Sequence, residues 1–401
     1  MSERPLPGLD DLDVADHRVL VRCDLNVPLH EGRIADDLRV RASVPTLRAL
    51  LERGARLAVC SHLGRPKGKV VDSLRLSPVG ERLEDLLETD VTALDVVVGA
   101  EAERACASDA DVVLLENLRF DPREEANDPA FADALAALAD AYVNDAFGSS
   151  HRAHASVAGV AERLPSAAGV LLSQEVEGLG RLLVEPEHPF VAVLGGAKVS
   201  DKLPVIDNLL DRVDALCIGG AMAFTLLMAR DIDVGRSKVE PERVYEVAGM
   251  LARAESMGVE VLLPSDVVAA DAPEDGAASE TVALADIGDR LGVDIGPRTA
   301  ERFSREIEGA RSVLWNGPMG IFEVPAFAEG TKAVAQAVGR ATAAGAYTVA
   351  GGGDSAAALE QLDMVDAVSH LSTGGGASLE YLGGRDLPGI AALRARATER
   401  T

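Results

Sequence analysis

Short apolar runs alternate with segments of helical spacing from one end of the chain to the other. In the first half the runs are HRVLVRC (17–23), ARLAVC (55–60), DVVVG (95–99), DVVLLEN (111–117) and AYVND (141–145). In the second half they are PFVAVLGG (189–196), ALCIGG (215–220), VEVLLPSD (259–266), SVLWNG (312–317), YTVAGGG (347–353) and DAVSHLS (366–372). Between them, segments such as DKLPVIDNLLDRV (201–213) set Leu203, Ile206, Leu210 and Val213 on one helical face. Strand and helix in strict alternation predict a parallel sheet covered by helices, and here the pattern is completed twice. We therefore expect an α/β protein of two doubly wound, Rossmann-like domains, spanning 1–168 and 186–385. A helix over 169–185, beginning GVLLSQEVEGLGRLL (169–183), joins them as a hinge, and a tail follows from 386 to 401.

Composition agrees with buried parallel strands. Hydrophobic residues make up 47% of the 401, but aromatics only 3%, so the cores must be filled by Val, Leu, Ala and Ile. No apolar run approaches the roughly 20 residues of a membrane span, and the start MSERPLPGLDD lacks the apolar stretch of a signal peptide. The expectation is a soluble, cytoplasmic protein. Its four cysteines (Cys23, Cys60, Cys106, Cys217) have no metal-ligand spacing and read as reduced thiols.

Charge changes the picture more. Sixty-five acids against 39 bases leave a net charge of −26, and only six of the bases are lysines. Nucleic acid is excluded as a partner, because duplex binding needs a broad basic face. An arginine bias from a GC-rich genome would explain the Arg-to-Lys ratio but not the acid excess, which points to a surface adapted to high salt. Stability rising with KCl is the expected result, and a melting temperature flat up to molar salt would remove the idea.

The candidate chemistry lies just past the strand runs, at the edge where α/β sheets bind ligands. In the first half, RCDLNVP, SHLGR, ENLRF and SSHRAH place Arg22, Arg65, Arg119 and Arg152 at or after strand ends, with Arg39 a little further on after the first of them and His62 and His151 beside them. Any one of these alone reads as readily as a surface arginine paired with an acid. The five together point instead to a clamp for a small anion, since each guanidinium donates a bidentate fork. Asp24 and Asn26 offer acceptors to a substrate hydroxyl, or cap a turn.

The second half carries glycine in place of arginine: LGGAKVSDK, WNGPMG, GGGDS and STGGGAS. No P-loop signature is present. A helix opening right after Gly351 to Gly353 aims backbone N–H groups at a ligand, and Asp354 at its mouth suits a Mg²⁺ ion carried by a nucleotide, or else a simple cap. Lys198 and Lys202, four apart in a chain nearly without lysine, read as mobile point charges for one anion. A dinucleotide-dependent dehydrogenase would want its glycine fingerprint after the first strand, where RCDLNVP stands. A non-catalytic sensor would be expected to lack Lys198 or Asp354.

Taken as an ordered set from Arg22 to Glu380, RCDLNVP, HLGRP, ENLRF, HRAH, LGGAKVSDK, WNGPMGIFE, GGGDS and STGGGASLE resemble the phosphoglycerate kinase family. The resemblance implies reversible, Mg²⁺-dependent phosphoryl transfer between ATP and 3-phosphoglycerate by a monomer, and a tail (386–401) that packs back on the first domain. It implies that Asp24, Leu25, Asn26, Arg39, His62, Leu63, Gly64, Arg65, Arg119 and Arg152 hold 3-phosphoglycerate. It implies that Lys202, Gly292, Glu323, Gly352, Gly353, Asp354 and Ser355 hold the nucleotide, with Asp354 also a metal ligand. Arg39, Lys198, Gly351 and Gly374 then serve the transfer step. Ser355 stands where the family usually has threonine, Ala221 where it often has glycine, and Ser149 and Ser150 where Thr and Ala are usual. No segment specifies the adenine pocket.

Overall fold

Val19, Leu20 and Val21 are wholly buried, as a strand covered by helices on both faces requires, and they form strand β1 (Arg18–Arg22) at the middle of a six-stranded sheet. The other members are β4 (Arg56–Cys60), β5 (Val91–Ala93), β6 (Val112–Leu114), β7 (Ala141–Asn144) and β8 (Ser166–Ala168). Two short strands, β2 (Leu29–His30) and β3 (Arg33–Ile34), pair separately as a hairpin. The sheet order is β5-β6-β4-β1-β7-β8, all parallel. The chain leaves β1 first to one side and later to the other, so the ends of β1, β4 and β7 flank a topological switch point. Arg22 lies level with Cys60 and with Asn144, which brings the segments beginning at Cys23, Ser61 and Asp145 out at one edge.

A second six-stranded parallel sheet repeats the plan. It contains β9 (Phe190–Leu194), β10 (Ala215–Ile218), β11 (Glu260–Leu262), β15 (Ser312–Asn316), β16 (Tyr347–Gly351) and β17 (His370–Ser372), in the order β11-β10-β9-β15-β16-β17. Its switch point lies between β9 and β15, where Asn316 pairs with Leu194 on one side and Gly351 on the other. An additional antiparallel sheet is made by β12 (Asp266–Ala270), β13 (Ser279–Ala283) and β14 (Leu291–Ile295), in the order β13-β12-β14.

The structure, a computed structural model, describes residues 6–397 and divides into two compact units. One takes the chain up to Glu177 and the stretch from Asp386 onward, and the other takes Gly178–Arg385. The division falls inside the helix Val170–Val184. Within the first unit the helix Pro388–Ala397 packs near β8, with Gly389 N–H donating to the Ser150 carbonyl at 2.9 Å. No helix among the described residues is long and apolar enough to cross a membrane.

Ten of the eleven predicted runs contain a strand. The exception is 95–99: the strand is Val91–Ala93, and the chain turns away after Leu94, whose N–H still reaches the Leu114 carbonyl at 2.9 Å. Thr92 and Ala93 are exposed at this sheet edge, so burial leaves no apolar signature there, whereas Val97 is buried without being a strand. The segment 201–213 is helical only over Leu203–Leu209, although Leu203, Ile206, Leu210 and Val213 are all buried as its pattern requires.

Candidate functional site

In the first unit, three strand-end loops are tied together by their own polar groups. The buried Arg22 side chain donates to Ser156 Oγ at 3.0 Å and to His62 Nδ1 at 3.0 Å. A guanidinium only donates, so Nδ1 of His62 is an acceptor and the ring proton sits on Nε2. Gly64, at φ 63°, gives its N–H to Asn26 Oδ1 at 2.8 Å and its carbonyl to Arg119 at 2.9 Å. Leu25 and Leu63 are buried beneath the site, with their amides engaged by Ser61 Oγ and Asn117 Oδ1. Arg39, in the first turn of the helix Leu38–Glu52, donates to both oxygens of Asp24 at 3.0 and 3.1 Å.

The positive charges meet here. Burial holds the His62 imidazole well below its ordinary range, and the fields of Arg22, Arg119, His154 and Arg39 push it further down. His154 is lowered to about 4, by burial first and then by Arg119, Arg22, Arg152 and His151. Arg119, lowered mainly by burial, is also within the field of Arg65. All five predicted arginines thus act on one another or on one histidine pair. Balancing acids are few: Asp24 on Arg39, Glu125 on Arg119 at 3.3 Å, and the buried Glu124, which accepts from Ser156 N–H and Oγ at 2.9 and 2.6 Å. Arg65 and Arg152 are exposed. Arg152 reaches His151 at 3.0 Å, and Arg65 makes no hydrogen bond or ion pair among the described residues.

In the second unit two cavities open side by side over the β9–β15 switch point. A polar one of about 580 Å³ is lined by Gly195 to Lys198, Asp201, Lys202, Asn316, Gly317, Gly352, Gly353, Asp354 and Ser355, among others. An apolar one of about 370 Å³ is lined by Phe224, Leu291, Gly292, Pro318, Met319 and Ala221, with Lys238 and Glu323 also on its wall. Gly196, Ala197 and Asp354 belong to both. The pair has the shape a nucleotide needs: an apolar chamber for the base, continuous with a polar one for the phosphates.

Glycine is required at specific points of this wall. A side chain at Gly292 would collide with the Phe224 ring, and Gly220, at φ 65°, lies against Gly196 and Pro318 backbone. Gly352, at φ 93°, precedes the helix Gly353–Gln361, whose free N–H groups open into the polar cavity with exposed Asp354 in the first turn. Ser355 is buried and its Oγ accepts from Gly317 N–H at 2.7 Å. Gly351 and Gly374 do not line either cavity: the Gly351 carbonyl is taken by Asn316 Nδ2 at 2.6 Å, and Gly374 N–H reaches Ser372 Oγ at 3.4 Å. Lys202 donates to Asn316 Oδ1, and burial lowers its ammonium to about 8 against the opposing fields of Asp201 and Asp354. Lys198 is exposed.

A family model described as phosphoglycerate kinase matches residues 9–385. The chain belongs to the phosphoglycerate kinase family. A phosphoglycerate kinase of Thermomicrobium roseum is 55% identical over 386 residues, covering 96% of this chain and 98% of that one. One of Dictyoglomus turgidum is 49% identical over 401 residues, covering 98% of this chain and 100% of its own. Among solved structures, the phosphoglycerate kinase of Coxiella burnetii aligns with a TM-score of 0.90 at 39% identity, covering 98% of this chain and all of that one. That of Pyrococcus horikoshii aligns at 0.82 and 31%, again over 98% of this chain and all of the other.

The positions where this chain departs from the usual family pattern have local partners. Ser149 Oγ accepts from Arg22 at 3.4 Å, Ser150 Oγ donates to the Ala146 carbonyl at 2.9 Å, and Ala221 lines the apolar cavity. The residues that sequence reasoning missed on the apolar wall are Phe224, Leu291 and Lys238, while Pro318 and Met319 lie in WNGPMG without having been given a role. The rarity of lysine in this chain is the signal that could have found Lys238.

Proposed function

We propose that the chain transfers a phosphoryl group reversibly between MgATP, held in the glycine-lined cavities of the second unit, and the carboxylate of 3-phosphoglycerate, held by the arginine cluster of the first. The observation that carries this reading is that each unit bears an anion site at its own switch point, one built from guanidinium groups and one from glycine amides and lysines.

The acceptor carboxylate is already ionised near neutral pH, so no general base is needed. What the chain supplies is alignment and neutralisation of charge on the transferred group. Arg119, Arg65 and Arg152 hold the substrate phosphate, while Asp24, Asn26 and the neutral His62 orient its hydroxyl and carboxylate. Arg39 releases Asp24 to meet the transferred group from the substrate side, and Lys198 follows it from the nucleotide side. Lys202 and the amides after Gly352 hold the nucleotide phosphates, and Glu323 with Gly292 flanks the nucleoside.

Asp354 fits a magnesium ion carried in on the nucleotide. It is an exposed carboxylate on the wall shared by the two cavities, an oxygen ligand of the kind that ion takes. Bound there, the ion would neutralise charge on the phosphate oxygens. Transfer between two units also requires closure, for which the helix Val170–Val184 is our hinge, shielding the acyl phosphate from water. We also read the protein as a cytoplasmic monomer with a surface suited to high salt.

A coupled assay with ATP and 3-phosphoglycerate tests the reaction: acyl phosphate forms only when both are present. Arg65→Ala should raise the KM for 3-phosphoglycerate at least about tenfold while leaving that for ATP unchanged. The opposite pattern would mean that the two sites are exchanged.

A further inference from the structure

The helix Val170–Val184 begins in the first unit and ends in the second. A helix leaves its first backbone N–H groups without partners of its own, and a side chain just ahead of it ordinarily supplies an acceptor. Here the preceding residue is Gly169, which has no side chain, and the acceptors come from two other elements. Val170 N–H donates to Thr46 Oγ1 at 2.8 Å. The N–H groups of Leu171 and Leu172 donate to Asp145 Oδ1 at 3.0 and 3.4 Å. Any Cβ at residue 169 would collide with Asp145 Oδ1, so glycine is what lets the carboxyl reach in.

Both acceptors are rooted in the arginine cluster. Thr46 lies on the buried face of the helix Leu38–Glu52, which carries Arg39 in its first turn. Asp145 directly follows β7, and its own N–H donates to the Arg22 carbonyl at 2.8 Å. Asp145 and Thr46 are both wholly buried. The second oxygen, Asp145 Oδ2, is buried with no hydrogen-bond partner among the described residues. Capping needs only one oxygen, and a buried acceptor left unmade is costly, so a merely structural cap would be better served by a smaller group.

We propose that Thr46 and Asp145 are positioning residues that tie the start of the helix Val170–Val184 to the Arg39 helix and the Arg22 strand, so that filling the arginine cluster moves the helix both units share. The helix Leu38–Glu52, which holds Pro45 in its interior, carries a displacement of Arg39 to Thr46 within two turns, and the hydrogen bond to Val170 passes it on. The inference rests on the closure reading given under Proposed function.

Thr46→Val keeps the side-chain shape and removes the hydrogen bond to Val170, while Asp145→Asn keeps one acceptor oxygen for Leu171 and Leu172. The full chain of each variant is compared with wild type for melting temperature, 3-phosphoglycerate binding by calorimetry, kcat, and radius of gyration by X-ray scattering. Scattering is recorded with and without 3-phosphoglycerate plus a non-hydrolysable ATP analogue. Thr46→Val should bind 3-phosphoglycerate within about threefold of wild type, lose roughly ten- to a hundredfold in kcat, and fail to compact with both ligands. Thr46→Ser, which restores the hydroxyl, should recover both. Should Asp145→Asn fail to fold, the Thr46 pair decides the matter alone. If wild type and Thr46→Val compact and turn over alike, the coupling is wrong, and so it is if kcat falls only in step with 3-phosphoglycerate affinity. A wild type that does not compact with both ligands overturns the closure reading itself, and the coupling goes with it.

Discussion

The two anion sites solve the same problem with opposite materials. In the first unit the donors are side chains that hold one another in place: Arg22 on His62 and Ser156, Arg119 on the Gly64 carbonyl, Arg39 on Asp24. In the second the wall is largely backbone, with Gly195, Gly196, Gly317, Gly352 and Gly353 letting the main chain approach, and the basic side chains on the polar cavity are Lys198, Lys202 and Arg385, the last paired with Glu380 at 3.5 Å. Side-chain forks match a small substrate of fixed charge geometry, whereas amides and mobile ammonium groups suit a phosphate chain whose terminal group must leave. Crowding positive charge has a consequence that the glycine wall avoids. Burial, with the arginines' field added to it, keeps His62 and His154 neutral, so these two add no positive charge to the cluster near neutral pH.

The sharpest way to break this contrast is at Lys198. If it tracks the transferred group, Lys198→Ala should lower kcat by about a thousandfold, the scale of removing one transition-state donor, with nucleotide Kd nearly unchanged. Equal loss of kcat and nucleotide affinity would make it part of the cradle and no different from Lys202. Pre-steady-state quench with radiolabelled ATP separates the two outcomes.

A smaller effect is expected where the wall is made of glycine. Gly292→Ala puts a methyl group into the Phe224 ring, which is itself buried. Overpacking of this kind costs about 1–3 kcal/mol of stability, and the displaced ring narrows the apolar cavity. ATP affinity should fall roughly tenfold while 3-phosphoglycerate affinity stays at the wild-type value. A drop in stability with both affinities intact would show that the apolar cavity does not hold the base.

How legible each site was follows from the same difference in materials. RCDLNVP and SHLGR announce themselves because a charged side chain at the end of an apolar strand is conspicuous, and the register of Arg22 with Cys60 and Asn144 then brings those loops together. The apolar cavity was invisible because strands β12 to β14, which help to wall it, do not repeat the long apolar runs of the parallel sheets. Ser279 to Thr281 are exposed, and Gly292 sits opposite Ala269 beside an irregularity in the β12–β14 pairing. Strand β8 was missed for a related reason: Ser166, Ala167 and Ala168 are small, and what buries them comes from elsewhere in the chain. The support beneath the first site, Glu124 and Ser156 under Arg22, was equally silent, since neither residue lies at a strand end.

The least dramatic test concerns the histidines that this crowding silences. His154 is nearly buried, its Nδ1 has no hydrogen-bond partner among the described residues, and Glu124 Oε1 stands 3.8 Å away, so protonation in the fold is opposed by burial and by the arginines around it. Its folded pKa, about 4, lies below the ordinary value of 6.5, so the neutral form is the one the fold prefers. The associated stability is therefore complete above pH 6.5 and is lost as pH falls from 6.5 towards 4. One such proton changes the unfolding free energy by about 1.4 kcal/mol per pH unit within that window. His154→Gln should remove that share of the slope, measured by urea unfolding from pH 7 to pH 4, while the curve above pH 7 keeps its shape. Asp145 and Asp294, raised to about 7, and Glu124, raised by burial, bend both profiles the opposite way, so the diagnostic quantity is the difference in slope between wild type and His154→Gln near pH 5.5 to 6.5. An unchanged slope there would mean that His154 takes up its proton as freely as in the unfolded chain, and the arginine cluster would then not be the crowded field that sets it apart from the glycine wall.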